Sequence, residues 1–201
     1  ASEKNQTLLC IGLDPDPSLM PIHHIQEFNR AIVDATYDLV CAFKPNLAFY
    51  EAAGTTGIDA LANTVSYIHD ISPDVIVLGD AKRGDIGSTS SHYAKALFKT
   101  WNFDAATVNG YAGQDAVQPF LDYTDKGTFV WCRSSNPDAV EFQDLRVIPV
   151  GDEDKTPQIT LHQRVANRAK NWNVYENIGL VVGATYPEEL AAVRAECPNM
   201  P

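Results

Sequence analysis

The residues best suited to chemistry are Asp80 and Lys82, an acid and a base two positions apart, with a second acid at Asp85. They follow the apolar run Val75–Leu78, which is typical of a strand buried on both faces. Side chains two apart on a strand share a face, so Asp80 and Lys82 are predicted to point with Ile76 into the interior. Unpaired charge is costly there. Because α/β proteins do chemistry where polar groups crowd the carboxyl end of a buried strand, the pattern favours a functional site over a structural ion cluster.

The residues just after Lys82 predict how the chain leaves this strand. Gly84 permits a sharp turn, and Asp85 is expected on the loop that follows. Ser88 is a good N-cap residue, so a helix is predicted to begin near it. The sequence around Asp80 therefore predicts one strand–loop–helix unit.

Short apolar strands alternate with helical patterns along the whole chain, which predicts parallel β/α units. The predicted strands cover residues 8–13, 39–43, 75–82, 105–108, 128–132 and 178–183. Most of them end in polar residues, including Asp14, Lys44 and Ser135. This arrangement suits an α/β protein with a (β/α)8 (TIM) barrel and a site on its C-terminal face. An open doubly wound sheet is the alternative, although neither glycine-rich nucleotide-binding fingerprint is present in the sequence.

The length of the chain limits how much of a (β/α)8 barrel it can form. A (β/α)8 barrel needs eight strands and typically about 250 residues, whereas the 201 residues contain about six predicted strands. We therefore expect residues 1–201 to be a single barrel domain that is incomplete at its C-terminus, with the last two strands outside the sequence given. Residues missing from within the sequence are the alternative.

The net charge indicates which binding partners are disfavoured, and the cysteine content indicates the redox environment. The formal net charge of −11 argues against general binding to nucleic acid or an anionic membrane. No stretch is predicted to span a membrane, and the first residues do not resemble a signal peptide. The four cysteines are widely spaced, which predicts buried free thiols in a reducing, cytoplasmic setting rather than disulfides or a zinc site. The five histidines also lack ligand spacing, so no metal site is predicted.

The stretch Asp80-Ala81-Lys82-Arg83-Gly84-Asp85-Ile86, with Thr89 after it, resembles the signature Asp-x-Lys-x-x-Asp-Ile-x-x-Thr of the orotidine 5′-phosphate decarboxylase family. The resemblance recurs at other strand ends, in Leu13-Asp14, Phe43-Lys44-Pro45 and Ser134-Ser135-Asn136-Pro137. Two positions depart from the usual pattern: Gly79 replaces a larger apolar residue, and Gly110 stands where proline is common. The glutamine and arginine with which the family grips phosphate have no counterpart in the sequence given.

The resemblance implies a role for each matching residue. Asp14 would bind the ribose hydroxyls, and Ser135 would hydrogen-bond the pyrimidine. Lys44 would contact the ribose and the acid cluster. The remaining matches are the central acid and the proton donor, Asp80 and Lys82, and a segment contributed to the neighbouring subunit's site, Asp85, Ile86 and Thr89.

The implied reaction is decarboxylation of orotidine 5′-monophosphate (OMP) to uridine 5′-monophosphate (UMP), in pyrimidine biosynthesis. Lys82 would protonate the C6 carbanion, and Asp80 would lie near the substrate carboxylate. The resemblance implies a homodimer with shared sites and no metal or organic cofactor.

Two other functions fit parts of the sequence. A related sugar-phosphate decarboxylase or aldolase also uses Asp-x-Lys-x-x-Asp but depends on a metal ion. A barrel that binds a nucleotide without catalysis would be consistent with the absence of the phosphate-binding glutamine and arginine. The presence of Asp80, Lys82 and Asp85 argues against it.

Overall fold

The computed structural model describes residues 1–148 and 158–201. They form two compact units, one built from Ala1–Arg83 with Ser91–Thr107, and one from Gly84–Ser90 with Val108–Pro201. The expectation that they belong to a single barrel domain stays a prediction.

The first unit is built on parallel strands that follow the order of the chain. These strands are β1 (Cys10–Leu13), β2 (Ala42–Pro45), β3 (Ile76–Arg83) and β4 (Ala105–Val108), whose last residue belongs to the second unit. Strand β2 pairs in parallel with β1 on one side and with β3 on the other, and β4 follows β3 in the sheet. The run Val77–Asp80 is buried, as the apolar sequence of β3 requires.

Helices connect these strands, as parallel pairing demands. Helix α1 (Ser2–Asn5) precedes β1, and the connecting helices are α2 (Ile25–Thr36), α3 (Leu47–Ala52), α4 (Gly54–Ile71) and α5 (Gly87–Lys95). A π-helical turn over Ala96–Thr100 continues α5. Helix α4 buries Leu61, Val65 and Ile68 at helical spacing, and α2 buries Val33 together with one polar residue, Asn29. This asparagine belongs to a buried hydrogen-bond network.

The unusual glycine at position 79 is explained by its neighbour in space. A Cβ atom at Gly79 would lie 3.0–3.1 Å from three ring carbons of Phe103. Phe103 itself is fully buried. The aromatic ring therefore fills the volume that a larger apolar residue would occupy beside Asp80.

The second unit contains two parallel strands, β5 (Gly127–Arg133) and β8 (Ile178–Val182), which pair with each other. Its helices are α6 (Gln114–Leu121), α7 (Val140–Gln143), α8 (Leu161–Trp172) and α9 (Pro187–Glu196), and the short strands β6 (Arg146–Val147) and β7 (Ile159–Thr160) pair antiparallel. A capping box between Thr160 and Gln163 fixes the start of α8.

The predicted alternation of strands and helices is confirmed, and the boundaries differ in informative places. The second strand was predicted over residues 39–43 but begins at Ala42, so Lys44 lies inside β2. Helix α5 begins at Gly87, which makes the N-cap prediction for Ser88 wrong. Helix α6 was not anticipated from the sequence.

The turn predicted at Gly84 has a different cause from the one expected. A Cβ atom there would lie 2.2 Å from the carbonyl oxygen of Asn109, so the glycine is required by close backbone approach. The positive φ angle occurs two residues earlier, at Lys82.

The cysteines also differ in part from expectation. All four are free thiols, but only Cys132 and Cys197 are buried, whereas Cys10 is exposed and Cys41 half-buried. Across residues 1–148 and 158–201, no helix combines the length and apolar character needed to cross a membrane.

Candidate active site

Strand register places the polar residues of β1, β2 and β3 on one face of the first unit's sheet. Gly12 pairs with Lys44, and Asn46 is bridged to Asp80. Register partners in a parallel sheet point the same way, and residues two apart on a strand share a face. Lys44 and Asp80 therefore project from the same face near the carboxyl ends of their strands.

The carboxylate of Asp80 is the centre of a cluster of charged and polar groups. Its Oδ1 accepts hydrogen bonds from Nζ of Lys82 at 2.7 Å and from Oγ1 of Thr107 at 2.8 Å. Its Oδ2 accepts one from Nζ of Lys44 at 3.0 Å. The aspartate side chain is 8% exposed, whereas those of Lys44 and Lys82 are 31% and 37% exposed. A buried anion is thus held by two cations that solvent can reach.

These partners keep Asp80 ionised. Burial alone would raise the pKa of the Asp80 carboxyl, but the hydrogen bond from Lys82, the charge of Lys44 and the hydrogen bond from Thr107 act in the opposite direction and outweigh it. The pKa of Asp80 therefore lies below its ordinary value.

The backbone at Lys82 is unusual for a residue with a side chain. Its φ angle is +47°, in the left-handed region that non-glycine residues seldom adopt. Such a conformation persists only where neighbouring groups hold it in place. Oγ1 of Thr107 accepts hydrogen bonds from the backbone N–H of Ala81 at 3.0 Å and of Lys82 at 2.9 Å. One buried hydroxyl thus binds the backbone of Lys82 and the carboxylate of Asp80.

Thr107 was missed when the sequence was considered alone. It lies on β4, where all four residues are buried. The available signal was a hydroxyl residue near the carboxyl end of an otherwise apolar strand, Ala105-Ala106-Thr107-Val108. Nothing local indicated that this strand would be placed beside β3.

Asp14 lies directly after β1, and its side chain is exposed. A Cβ atom at Gly12 would be 3.5 Å from Oδ1 of Asp14, so the carboxylate lies close to the face on which Gly12 pairs with Lys44. Asp14 therefore belongs to the same edge of the sheet as the Asp80 cluster.

Arg83 is directed away from Asp80. Its guanidinium pairs with Glu51 and lies 5.2 Å from the ring centroid of Tyr93. The Asp-Lys-Arg run is therefore not one continuous ion cluster, because Lys82 alone of its two cations binds Asp80.

The other predicted site residues belong to the second unit. Asp85 and Ile86 are exposed on the loop before α5, and Thr89 lies in the first turn of that helix. The hydroxyl of Ser90 accepts a hydrogen bond from the N–H of Asp85 and donates to its carbonyl oxygen, which closes the loop. Ile86 is 67% exposed, a large value for an apolar side chain.

Ser135 is exposed in the loop after β5, where Gly183 allows close approach: a Cβ at position 183 would lie 2.9 Å from the Ser135 nitrogen. That Ser135 and the segment from Asp85 to Thr89 contribute to the same site as Asp80 stays a prediction.

The second unit also buries a cation. Arg133 is fully buried, with its Nε 2.5 Å from Glu189 and an Nη atom 3.3 Å from Asp144. Asp144, His162 and Glu189 are close enough together to resemble a metal-ligand set. Both carboxylates already pair with Arg133, however, and its fixed positive charge opposes a metal cation at the same place.

Comparison with known proteins identifies the family. Residues 7–200 match the model of the "Orotidine 5'-phosphate decarboxylase / HUMPS family". The chain belongs to this family. It is 51% identical to an orotidine 5′-phosphate decarboxylase of Thermomicrobium roseum, with 98% of this chain and 69% of that protein aligned. An enzyme of the same name from Dehalococcoides mccartyi is 46% identical over 100% of this chain and 72% of its own length.

A solved structure gives the same result for the fold. The structure of Leishmania donovani OMP decarboxylase superposes with a TM-score of 0.86 and 39% identity, covering 98% of this chain and 75% of that one. The predicted TIM-barrel fold class, the family and the enzyme class, a carboxy-lyase, are therefore confirmed.

Proposed function

We propose that this protein decarboxylates orotidine 5′-monophosphate to uridine 5′-monophosphate and that Lys82 is its general acid. The observation that carries the proposal is the Nζ of Lys82, held 2.7 Å from a buried, ionised Asp80 at the end of a side chain that is 37% exposed. Loss of carbon dioxide from C6 leaves a carbanion that needs a nearby positive charge and then a proton. An ammonium group supplies both.

Asp80 and Lys44 would act on the substrate through charge and position. Asp80 holds the ammonium groups of both lysines through its two carboxylate oxygens. The substrate carboxylate, bound near Asp80, would meet a negative charge that its loss as carbon dioxide relieves. Lys44 would contact the ribose as well as Asp80.

The charges of this cluster alone cannot lower the activation free energy enough for the reaction. One charge pair at about 4 Å contributes roughly 4 kcal/mol at an effective dielectric constant near 20. Enzymes of very slow reactions must lower the barrier by up to about 23 kcal/mol. Most of the difference must come from a pre-organised site and from binding of the remote phosphate.

The remaining assignments extend the same proposal. Asp14 would bind the ribose hydroxyls and Ser135 the pyrimidine. Asp85, Ile86 and Thr89 would complete the site of a partner subunit in a homodimer; the exposure of Asp85 and Ile86 is compatible with that role. The chemistry needs no metal or organic cofactor.

The direct test follows the ultraviolet absorbance of OMP after addition of the purified protein, with and without EDTA. We expect conversion to UMP that EDTA does not change. Turnover that disappears with EDTA and returns with Mg²⁺ would instead support the metal-dependent decarboxylase or aldolase. Tight binding of UMP without any turnover would support a silent nucleotide-binding barrel.

Mixing two inactive variants, Lys82→Ala and Asp85→Ala, tests the shared site. In a mixed dimer, one site would contain an intact Lys82 and an intact Asp85 from the partner. The other site would contain both substitutions. Random exchange makes half of the dimers mixed, so activity should return to about a quarter of native. If mass spectrometry shows exchange and no activity returns, Asp85 does not act across an interface.

A further inference from the structure

Four polar side-chain and backbone groups form a buried network behind β1 in the first unit. Nδ2 of Asn29 donates to the hydroxyl of Tyr50 at 2.8 Å and to that of Thr64 at 3.0 Å. The hydroxyl of Tyr50 donates to the carbonyl oxygen of Leu13 at 3.1 Å. Asn29 and Tyr50 are fully buried, and Thr64 is nearly so. The network thus ends on the residue immediately before Asp14.

The direction of these hydrogen bonds is fixed by the number of protons available. A hydroxyl has one proton to donate. Tyr50 uses its proton on Leu13, and Thr64 uses its proton on the carbonyl of Ala60 at 2.7 Å. The group of Asn29 that faces both hydroxyls must therefore be its NH₂. Burial raises the pKa of Tyr50, so its hydroxyl keeps that proton.

This network stabilises the core less than apolar side chains of the same volume would. With this orientation, Oδ1 of Asn29 is buried and has no hydrogen-bond partner within residues 1–148 and 158–201. A buried polar atom without a partner destabilises the folded state, whereas an apolar residue of the same volume would not. The arrangement therefore makes more sense as a device that fixes Leu13 than as packing.

Leu13 is the last residue of β1, and Asp14 follows it in the turn rich in proline. The carbonyl of Leu13 also accepts a long hydrogen bond, 3.4 Å, from the N–H of Asn46. The Tyr50 hydroxyl is the closer of these two donors. It holds the peptide group that joins Leu13 to Asp14, and so it sets the direction in which Asp14 leaves the strand.

We propose that Tyr50, supported by Asn29, is a positioning residue that fixes Asp14 through the Leu13 carbonyl and thereby sets the preference for ribose over deoxyribose. This inference rests on the proposed function, in which Asp14 binds the ribose hydroxyls. Tyr50 itself touches no substrate in this scheme. Its effect should appear in discrimination between sugars rather than in the chemical step.

The test measures dissociation constants of UMP and of its 2′-deoxy and 3′-deoxy analogues by titration calorimetry. In the native protein, UMP should bind more tightly than either analogue, and Asp14→Asn should abolish the difference. Tyr50→Phe keeps the ring and removes only the hydroxyl, so we expect the ratio of dissociation constants to fall about threefold to tenfold. Asn29→Leu should lower the ratio less, because the Tyr50 hydroxyl remains.

Tyr67→Phe is the matched control. The Tyr67 hydroxyl donates a hydrogen bond to Asp34 on the exposed surface, so its removal should leave the ratio of dissociation constants unchanged. If Tyr50→Phe keeps the native ratio while Asp14→Asn loses it, Tyr50 is a packing residue and the inference is overturned. If the native protein does not distinguish the sugars or does not bind UMP, the role of Asp14 fails first, and the inference fails with it. Turnover of OMP by the native protein separates these results from failure of the proposed function.

Discussion

Each unit of the molecule contains a buried charge held by two opposite charges, with the signs reversed between the units. In the first unit, the buried group is the anion of Asp80, and its partners are Lys44 and Lys82. In the second, it is the cation of Arg133, and its partners are Glu189 and Asp144. In both clusters the partners are more exposed than the buried group. The two arrangements nevertheless differ in what they can do.

The difference lies in the chemistry of the cation. Arg133 has a planar guanidinium whose donors also reach Gln143, and the group lies 4.2 Å from the ring centroid of Tyr186. The hydrogen bond to Glu189 raises the pKa of Arg133, so it stays charged and transfers no proton. Lys82 has a compact ammonium at the end of a flexible stem, with solvent access. A group of that kind can give up a proton to a substrate and regain it.

A buried ion cluster becomes a candidate catalytic site when the side chains paired with the buried charge are accessible to solvent. In the Arg133 cluster the cation is enclosed and fixed, which suits a structural role. In the Asp80 cluster the enclosed group is the counter-ion, and the proton donor lies at the surface.

Lys82→Ala should have the largest effect of any single change, and most of that effect should fall on the chemical step. The general acid and the positive charge near the carbanion are both lost, so kcat should fall by at least about 10⁴-fold. The urea unfolding midpoint should fall only modestly, because Lys44 and Thr107 still bind the buried Asp80 carboxylate. Lys170→Ala, which removes an exposed lysine paired with Glu196, is the control and should retain activity. Turnover of Lys82→Ala within tenfold of native would remove Lys82 from the mechanism.

Arg133→Met should produce the opposite result, a loss of stability with a much smaller loss of kcat. Two carboxylates lose a buried partner, and the free energy of unfolding should decrease by about 3 kcal/mol in urea titrations. Arg133→Lys keeps the charge without the planar fork and should lie between the native protein and Arg133→Met. A kcat loss for Arg133→Met as large as that of Lys82→Ala would contradict the contrast between the clusters.

Thr107→Val should weaken the positioning of both Asp80 and Lys82 without changing side-chain volume. The backbone N–H groups of Ala81 and Lys82 lose their acceptor, so kcat/KM should fall about tenfold to 100-fold. Thr128→Val is the control, since the buried Thr128 hydroxyl has no hydrogen-bond partner among the residues that the structure describes. It should be neutral or slightly stabilising. Equal effects of the two substitutions on kcat/KM would show that Thr107 only fills space.

The change in stability with pH for Asp80→Asn, measured apart from its loss of activity, should be the smallest of these effects. Because the pKa of Asp80 is lowered by folding, its charge stabilises the native state above its ordinary pKa, and this contribution is lost as pH falls through the folded pKa. The difference in unfolding free energy between native and Asp80→Asn, about 1–2 kcal/mol at pH 7, should persist to pH 5 and shrink by pH 3. The exposed Asp38→Asn serves as control. A difference that grows as the pH falls would mean that the pKa of Asp80 is raised.

Much of the fold was predictable because each segment carries its own pattern. The run Val75–Leu78 indicated a buried strand, and Ala105–Val108 was predicted with the observed bounds. The start of β2 was not predicted correctly, because it depends on pairing with β1, and the reason for the glycine at position 84 was not predicted, because it is the close approach to Asn109. Local sequence does not encode either contact.

The sequence by itself determined the family, the α/β class and the shared direction of Asp80 and Lys82, since residues two apart on one strand point to the same face of the sheet. Only the tertiary structure decided that Lys44 and Thr107 would join them and that Tyr50 would reach Leu13. Those contacts join residues 27 to 37 positions apart. They depend on strand order, register and helix packing, which arise when the whole core folds together, and no periodicity within one segment records them.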